Sequence, residues 1–392
     1  MPQTTNKKHI LFIVSQPYYQ WRGSPIRVGF DVQALAELGH QVDLLVLPFG
    51  ENRSLPGVTV HRVKNWLGIK DIPIGPSIPK LFFDVVLYFR ARQMIRHTTY
   101  DVLHGVEDAG AVCALLRSHA HANVVFEKHS DPASYRKKGL RNIVMAAYAS
   151  VERWIIRRAD AVIGTGPGLA AQVREVAPEK KVYHIPDIPS SLAESTPQGI
   201  NKARAKMTRN DSDVIITYVG SFAVYQGIDL LFAAIPEACR QCPQARFVVI
   251  GGSPVEIDAR KDVLKQAGIG DAVLFAGKCP PAELPDWLAA SDILLSPRIA
   301  GTNTPLKLLD YLKAGKAIVA TENAANRQIL DETCAQFAVP DPAQFAAAII
   351  QLARDEPLRK KLAAAGQERM QNQYNYRVFR DGLNAVYTAL TP

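Results

Sequence analysis

The chain has 392 residues, 47% of them hydrophobic and 21% charged, with a formal net charge of +9. That length asks for two domains rather than one core, and the composition is that of a globular protein. The basic excess favours anionic partners without choosing among nucleotide diphosphates, nucleic acid and membrane phosphates. Five scattered cysteines argue against a disulfide framework and fit a reducing cytosol, and the lone pair Cys239 and Cys242 is half of a zinc site. No segment approaches about 18 uninterrupted apolar residues, and no signal-peptide form is present, so a soluble or peripheral protein is expected rather than a spanning one.

A β-loop-α-β opening comes first: a strand HILFIVS at 9–15, a helix at 30–38 ending at Gly39, and a strand at 42–47. The first loop lacks G-x-G-x-x-G, which makes an NAD site unlikely there. Its Arg22, Gly23 and Ser24 suit either a contact to a sugar or anion or an ordinary surface loop. After a strand at 58–63, the segment 66–95 has a Pro-broken apolar half and then an amphipathic helix carrying Arg90 and Arg92, with Arg96 just beyond. Apolar residues mixed with basic ones fit an anionic bilayer surface, or equally a core helix with a packed loop. Strands at 101–104 and 124–129 end in Glu107, Asp108, His129 and Asp131. Ligands of open α/β sheets bind beyond the carboxyl ends of strands, so these four are candidates for one cleft. A second basic amphipathic stretch, 135–158, suits a membrane, an acidic partner or a solvated face.

The polar stretch after 190 reads as a linker, placed at 191–213. A second β-loop-α series then begins with the strand at 214–220 and continues through strands at 246–250, 273–275 and 293–296. Next comes SPRIAGTNTPLKLLDYLKAGKAIVAT at 296–321. Asn303, Thr304 and Pro305 read as a helix start, Leu306, Leu308, Leu309 and Leu312 as its apolar face, and Gly315 as its C-cap. A helix N-terminus offers unpaired N–H groups and partial positive charge, a natural phosphate seat, with Arg298, Lys307 and Lys316 nearby. Two or three helices close the chain over 341–390.

Six stretches in this order carry a resemblance: LAELGHQVDLLV (35–46), YDVLHG (100–105), RADAVIGTG (158–166), YVGSFAVYQGIDLL (218–231), ASDILLSP (290–297) and LLDYLKAGKAIVAT (308–321). Together they resemble the large bacterial family of group 1 glycosyltransferases (glycosyltransferase family 4), over nearly the whole chain. The GSFAVYQG (220–227) and GTNTPLK (301–307) forms mark a subgroup. The resemblance implies the α/β GT-B fold, two Rossmann-like domains with parallel sheets. The expected division is an acceptor-binding domain at 1–190, the linker at 191–213, a donor-binding domain at 214–370, and a last helix at 371–392 returning to the first domain. It further implies retaining transfer of a hexose from a nucleotide-diphospho-sugar to a lipid-linked or polysaccharide acceptor, in the cytoplasm or peripherally at the inner membrane face.

By the resemblance, His129 lies beside the donor sugar and Asp310 falls on the second Glu of the family's Glu-x7-Glu, the one that meets the ribose. Thr302 replaces the first Glu, and Ser221 and Gln226 lie near where the family's phosphate-binding Arg and Lys stand. Arg298 and Lys307 can supply the missing positive charge. The expected catalytic group is His129, Arg298 and Lys307. The expected donor site adds Gly220, Ser221, Gln226, Gly227, Lys278, Thr302, Asn303, Thr304, Pro305, Leu306 and Asp310; the acceptor site is Arg22, Gly23, Ser24, Glu107 and Asp108. The single Asp-x-Asp, Asp211-Ser212-Asp213, falls at the end of the stretch read as the linker and not at a strand end facing a cleft, so metal independence and no cofactor are expected. Competing readings are a same-fold nucleotide-sugar 2-epimerase or hydrolase, and a non-catalytic partner protein that binds a nucleotide-sugar. A nucleic-acid partner is not expected, since no recognition motif accompanies the charge.

Overall fold

The computed structural model describes residues 7–18, 23–51, 54–70, 72, 77–131, 140–301 and 304–390. The chain divides into two compact units, one formed by Met1–Asp187 with Tyr376–Pro392 and the other by Ile188–Asn375.

The first unit runs β1 (His9–Val14), α1 (Gly23–Glu37), β2 (Gln41–Val46), β3 (Val58–Arg62), α2 (Ile78–His97), β4 (Val102–Val106), α3 (Ala109–Ala120), β5 (Asn123–Lys128), α4 (Leu140–Arg158), β6 (Ala161–Gly164), α5 (Pro167–Val176) and β7 (Lys181–His184). Its sheet is parallel throughout, in the order β3-β2-β1-β4-β5-β6-β7. β1 therefore pairs with β2 on one side and β4 on the other, and the winding direction reverses between β1 and β4. A crevice must open at the carboxyl ends of those two strands, where the following segments diverge to opposite faces. The apolar run of β1 follows from this place: a central strand covered on both faces reads as continuous rather than alternating.

Helix α1 begins at Gly23, two turns before the expected 30–38, because Pro25 lies within its first turn, where a missing N–H costs nothing. Ser24, Arg27 and Asp31 share one face of it at helical spacing, and Arg27 and Asp31 are buried. Polar residues on the inner face hid the helix from its apolar pattern. Helix α2 corrects the amphipathic expectation. Phe83, Leu87, Ala91 and Met94 are buried in the core, yet Ile78 (86% exposed), Leu81 (66%), Val85 and Phe89 (60%) form a second, uncovered apolar stripe. Trp66 (70%) and Leu67 are also exposed and Ile72 is buried, while residues 71 and 73–76 of the Pro-broken stretch and the basic residues Arg136, Lys137 and Lys138 lie outside the described residues.

The second unit runs α6 (Pro197–Met207), β8 (Val214–Val219), α7 (Ile228–Gln241), β9 (Ala245–Ile250), α8 (Pro254–Gln266), β10 (Val273–Gly277), α9 (Leu284–Ala289), β11 (Ile293–Ser296), α10 (Leu306–Ala314), β12 (Ala317–Thr321), α11 (Ala324–Arg327), β13 (Gln336–Ala338), α12 (Pro342–Arg354) and α13 (Glu356–Gln373). The parallel order β10-β9-β8-β11-β12-β13 repeats the same topology, with the reversal between β8 and β11. The stretch expected as a linker carries α6, capped by Thr196, whose hydroxyl accepts from the Gly199 amide at 3.0 Å. Ala203 and Met207 of α6 pack into the second unit's core beside Leu284, Leu288 and Leu308. Polarity concealed a capped helix there. The chain returns to the first unit with α14 (Tyr376–Thr388), five residues beyond the expected boundary, and packs Phe379, Leu383, Val386 and Tyr387.

Candidate active site

In the second unit, the crevice residues follow β8 and β11. Gly220 ends β8, its amide donating to the Ile250 carbonyl at 3.0 Å. The loop returns through Gly227, whose φ of +72° only glycine adopts without strain and where a Cβ would strike the Pro297 carbonyl oxygen. That close approach holds the β8 loop against the end of β11. The Ile299 amide donates to the Tyr225 carbonyl at 3.0 Å, and the Asn323 side-chain amide donates to the Arg298 carbonyl at 2.6 Å. α10 is fixed to the same two strands by Tyr311, whose hydroxyl accepts from the Val219 amide and donates to the Leu295 carbonyl, both at 3.1 Å. Gly315 closes α10 in the left-handed conformation, as expected.

Two cations meet in this setting, each against an aromatic face. The Lys307 ammonium lies 4.5 Å from the Tyr218 ring centre and donates to the Gln226 side-chain oxygen at 2.9 Å. The Arg298 guanidinium lies 5.5 Å from the Tyr225 ring centre, and its Nε donates to the Ala300 carbonyl at 2.8 Å. Burial, with the Arg298 charge added, pulls the Lys307 ammonium down to about 7. The pair is a concentrated positive site whose charge is poorly hydrated.

The other expected donor residues fall out differently. Pro305 caps α10 rather than lying inside its first turn; Leu306 opens the helix; Thr304 donates to the Gln328 side chain at 3.2 Å. Ser221 is exposed, and its carbonyl accepts from the Tyr218 hydroxyl at 2.8 Å; Lys278 is exposed just beyond β10. Thr302 and Asn303 lie outside the described residues. The Asp310 carboxylate accepts from the Ser190 amide at 2.7 Å and the Ser190 hydroxyl at 2.8 Å, and so pins the chain entering this unit. Burial, against those hydrogen bonds, raises it to about 6.

In the first unit, the crevice gathers side chains from α1, β4, β5 and α14. Glu127 is fully buried. One of its oxygens accepts from Arg27 Nε and from His129 Nε2 (2.9 Å), the other from His104 Nε2 (3.0 Å). Burial alone would push Glu127 up, but the Arg27 charge and the hydrogen bonds from the two histidines hold it well below the usual carboxylate range. His104 Nδ1 pairs with the Tyr387 hydroxyl at 2.7 Å, Arg27 Nη1 donates to Asp187 at 3.1 Å, and the Phe379 ring lies 5.0 Å under the Arg27 guanidinium. His129 Nδ1 is hydrogen-bonded to the Ser24 hydroxyl. Asp31 is completely buried with neither carboxyl oxygen in an ordinary hydrogen bond, and burial and then the Glu127 charge raise it well above the usual range.

Of the residues expected in one cleft, His129 and Glu107 are brought together, with Ser24 of the expected acceptor site beside them, whereas Asp108 is engaged elsewhere. Glu107, at a strained φ of +54°, accepts from the His129 amide at 2.5 Å and the Ser130 hydroxyl at 3.0 Å, and so shapes the turn after β5. Asp108 pairs with Lys80, and burial followed by the Glu152 charge lifts it to about 7. Gly23 opens α1, and Arg22 lies outside the described residues. Sequence reasoning missed Glu127, Arg27 and Tyr387. Glu127 left one signal: it is an acid inside an apolar strand, two residues before His129 and hence on the same face.

Residues 213–355 match the family model described as "Glycosyl transferases group 1", and residues 23–186 match that of the "Glycosyl transferase 4-like domain". The chain belongs to the group 1 glycosyltransferases. It is 26% identical over 351 residues to a component of the phosphatidylinositol N-acetylglucosaminyltransferase of Arabidopsis thaliana, spanning 88% of this chain and 74% of that one. It is 22% identical over 377 residues to the phosphatidyl-myo-inositol mannosyltransferase of Mycolicibacterium smegmatis, spanning 92% and 88%. Among solved structures, sucrose-phosphate synthase from Thermosynechococcus elongatus is similar with a TM-score of 0.80 at 22% identity, covering 97% of this chain and 98% of that one. Anabaena HepE, solved with UDP and glucose, is similar with a TM-score of 0.74 at 16% identity, covering 98% and 100%. The fold is GT-B. In this glycosyltransferase Ser24, Arg27, His104, Glu127 and His129 fall within the 4-like match, with Asp187, Phe379 and Tyr387 beyond it, and the Arg298–Lys307 pair falls within the group 1 match.

Proposed function

We propose that this glycosyltransferase moves a hexosyl group from a nucleotide-diphospho-sugar to a lipid-linked or polysaccharide acceptor, with retained stereochemistry and without a metal ion. The observation that carries the reading is the Arg298–Lys307 pair beside the N-terminus of α10, at the reversal point of the second sheet. Breaking a sugar–diphosphate bond builds negative charge on the leaving phosphate; two poorly hydrated cations and a helix start are what stabilises it. The aromatic rings hold both cations in place before a ligand arrives, so little reorganisation remains. Gly220 lets the Tyr218–Lys307 stack lie against the backbone: a Cβ there would strike the Tyr218 hydroxyl and sit 3.6 Å from the Lys307 nitrogen. HepE, solved with UDP and glucose, supports a nucleotide-sugar as the donor class. The two phosphatidylinositol-directed relatives support a lipid-linked acceptor. The uncovered stripe of α2 supports a peripheral position on an anionic membrane at the cytoplasmic face.

The test is transfer itself. Membrane extract and purified enzyme are incubated with UDP-, GDP- or ADP-linked radiolabelled sugars, with and without EDTA, and the product's anomeric configuration is read by NMR. One donor labelling the extract in EDTA, with the donor's configuration kept, is expected; inversion or strict metal dependence contradicts the corresponding part. A second reading, a non-catalytic protein that binds a nucleotide-sugar for a partner, draws on the commitment of Asp310 to Ser190. Tight binding of a donor with neither transfer nor hydrolysis would favour it.

A further inference from the structure

The hydrogen bonds around Glu127 have a fixed direction. An ionised carboxylate only accepts, so every ring nitrogen facing Glu127 must carry a proton. His104 and His129 both face it through Nε2. Neutral rings protonated there present a bare Nδ1 to the opposite side. At His104 that lone pair accepts a hydrogen bond from the Tyr387 hydroxyl, and at His129 it accepts one from the Ser24 hydroxyl. Ser24 is half-buried at the start of α1, whereas His104, Glu127 and Tyr387 are sealed from solvent. The line therefore has one outer end.

We infer that Glu127 is a positioning residue that fixes the His129 tautomer with its proton on Nε2, so that Ser24, its own proton committed to Nδ1, meets a ligand only as a hydrogen-bond acceptor. The group Ser24 selects is then a donor, such as an acceptor-sugar or inositol hydroxyl, and not a phosphate oxygen. A phosphate oxygen would need the proton that His129 already holds. Arg27 and Asp187 fix the remaining side: the guanidinium donates through Nε to Glu127 and through Nη1 to Asp187, so Glu127 cannot turn away from His129 without breaking a buried ion pair. This inference rests on the proposed reading only for the identity of the ligand; the tautomer is a property of the free enzyme.

Long-range proton–nitrogen correlation spectra of the full chain with labelled histidines, recorded at pH 8 without ligand, read the tautomer directly. His129 is expected with its proton on Nε2 and none on Nδ1; a proton on Nδ1, or on both nitrogens, overturns the inference whatever the variants do. Glu127→Gln, if it folds, is expected to shift His129 into a mixture of tautomers, because an amide offers N–H as well as oxygen; an unchanged spectrum in a folded variant contradicts the role of Glu127. Ser24→Ala is expected to raise the acceptor KM about five- to tenfold, one hydrogen bond's worth, with nucleotide-diphosphate affinity unchanged. An unchanged acceptor KM, or weakened nucleotide binding, overturns the ligand preference. Absence of any sugar transfer would sink the proposed function and leave the tautomer result standing.

Discussion

Lys307 is the residue on which the donor reading turns. Its ammonium is drawn down to about 7 by burial and by Arg298, while a bound diphosphate would favour the charged form. Binding above neutrality must then take up a proton. Nucleotide-diphosphate affinity is expected to fall as pH rises past about 7, toward a limit of about tenfold per pH unit, and titration calorimetry at pH 8 should show buffer-dependent heats. A flat profile from pH 6.5 to 8.5 would contradict it. Asp31 gives an opposite kind of test, on stability. A carboxyl raised in the folded state stabilises the fold fully below its unfolded value near 4 and loses that contribution as pH rises through the folded value. Asp31→Asn removes this dependence, so its stability gain over the parent should be larger at pH 8 than at pH 5 in urea melts. The two residues also show what a sequence conceals. Lys307 was legible because a cation beside a helix start has a recognisable setting. Asp31 and Glu127 were not, since an acid is read as exposed until its buried partners from other elements are known.

Helices carry the next level of prediction. α14 is distant in sequence from β4 and β5, yet it supplies the Tyr387 hydroxyl to His104 and the Phe379 ring to Arg27. Deleting residues 376–392 removes the buried side chains Phe379, Leu383, Val386 and Tyr387, each worth about 1.5–3 kcal/mol by burial, and bares the surface they cover. The truncated chain is expected to melt well below the parent and to lose transfer; an unchanged melting temperature would show that α14 does not complete the first unit. On α2, Leu81→Glu with Phe89→Glu places charge on the uncovered stripe and not in the core. Those changes should leave stability within about 1 kcal/mol of the parent and abolish sedimentation with anionic vesicles. Retained sedimentation would move the membrane contact elsewhere. Two α/β halves with parallel sheets were legible from the repeated strand–loop–helix pattern, but strand order and the reversal points were not, since they depend on which strands pair. α6 was not, because its helix signal lies in the Thr-Pro cap rather than in apolar periodicity. The exposed stripe of α2 stayed ambiguous in the sequence, because apolar residues on both faces fit a core helix as well as a membrane surface until the sheet is seen to cover only one of them.

At the scale of the whole molecule, two units of the same topology each place their chemistry beyond the carboxyl ends of the two strands where winding reverses. Repetition of that arrangement, with a proton-ordered network in one unit and paired cations in the other, is the basis for assigning them acceptor-side and donor-side work. No described helix is long and apolar enough to cross a membrane. With a net charge of +9, retention by anionic vesicles should weaken as salt rises and the Debye length shortens. The donor site remains the central claim, and equilibrium titration of UDP, GDP and ADP into the parent and into Lys307→Ala tests it most directly. One nucleotide should bind the parent, in EDTA, and bind the variant about 10- to 100-fold more weakly, the worth of a charge-assisted hydrogen bond. Equal affinity in the two proteins would remove the diphosphate from the Arg298–Lys307 crevice.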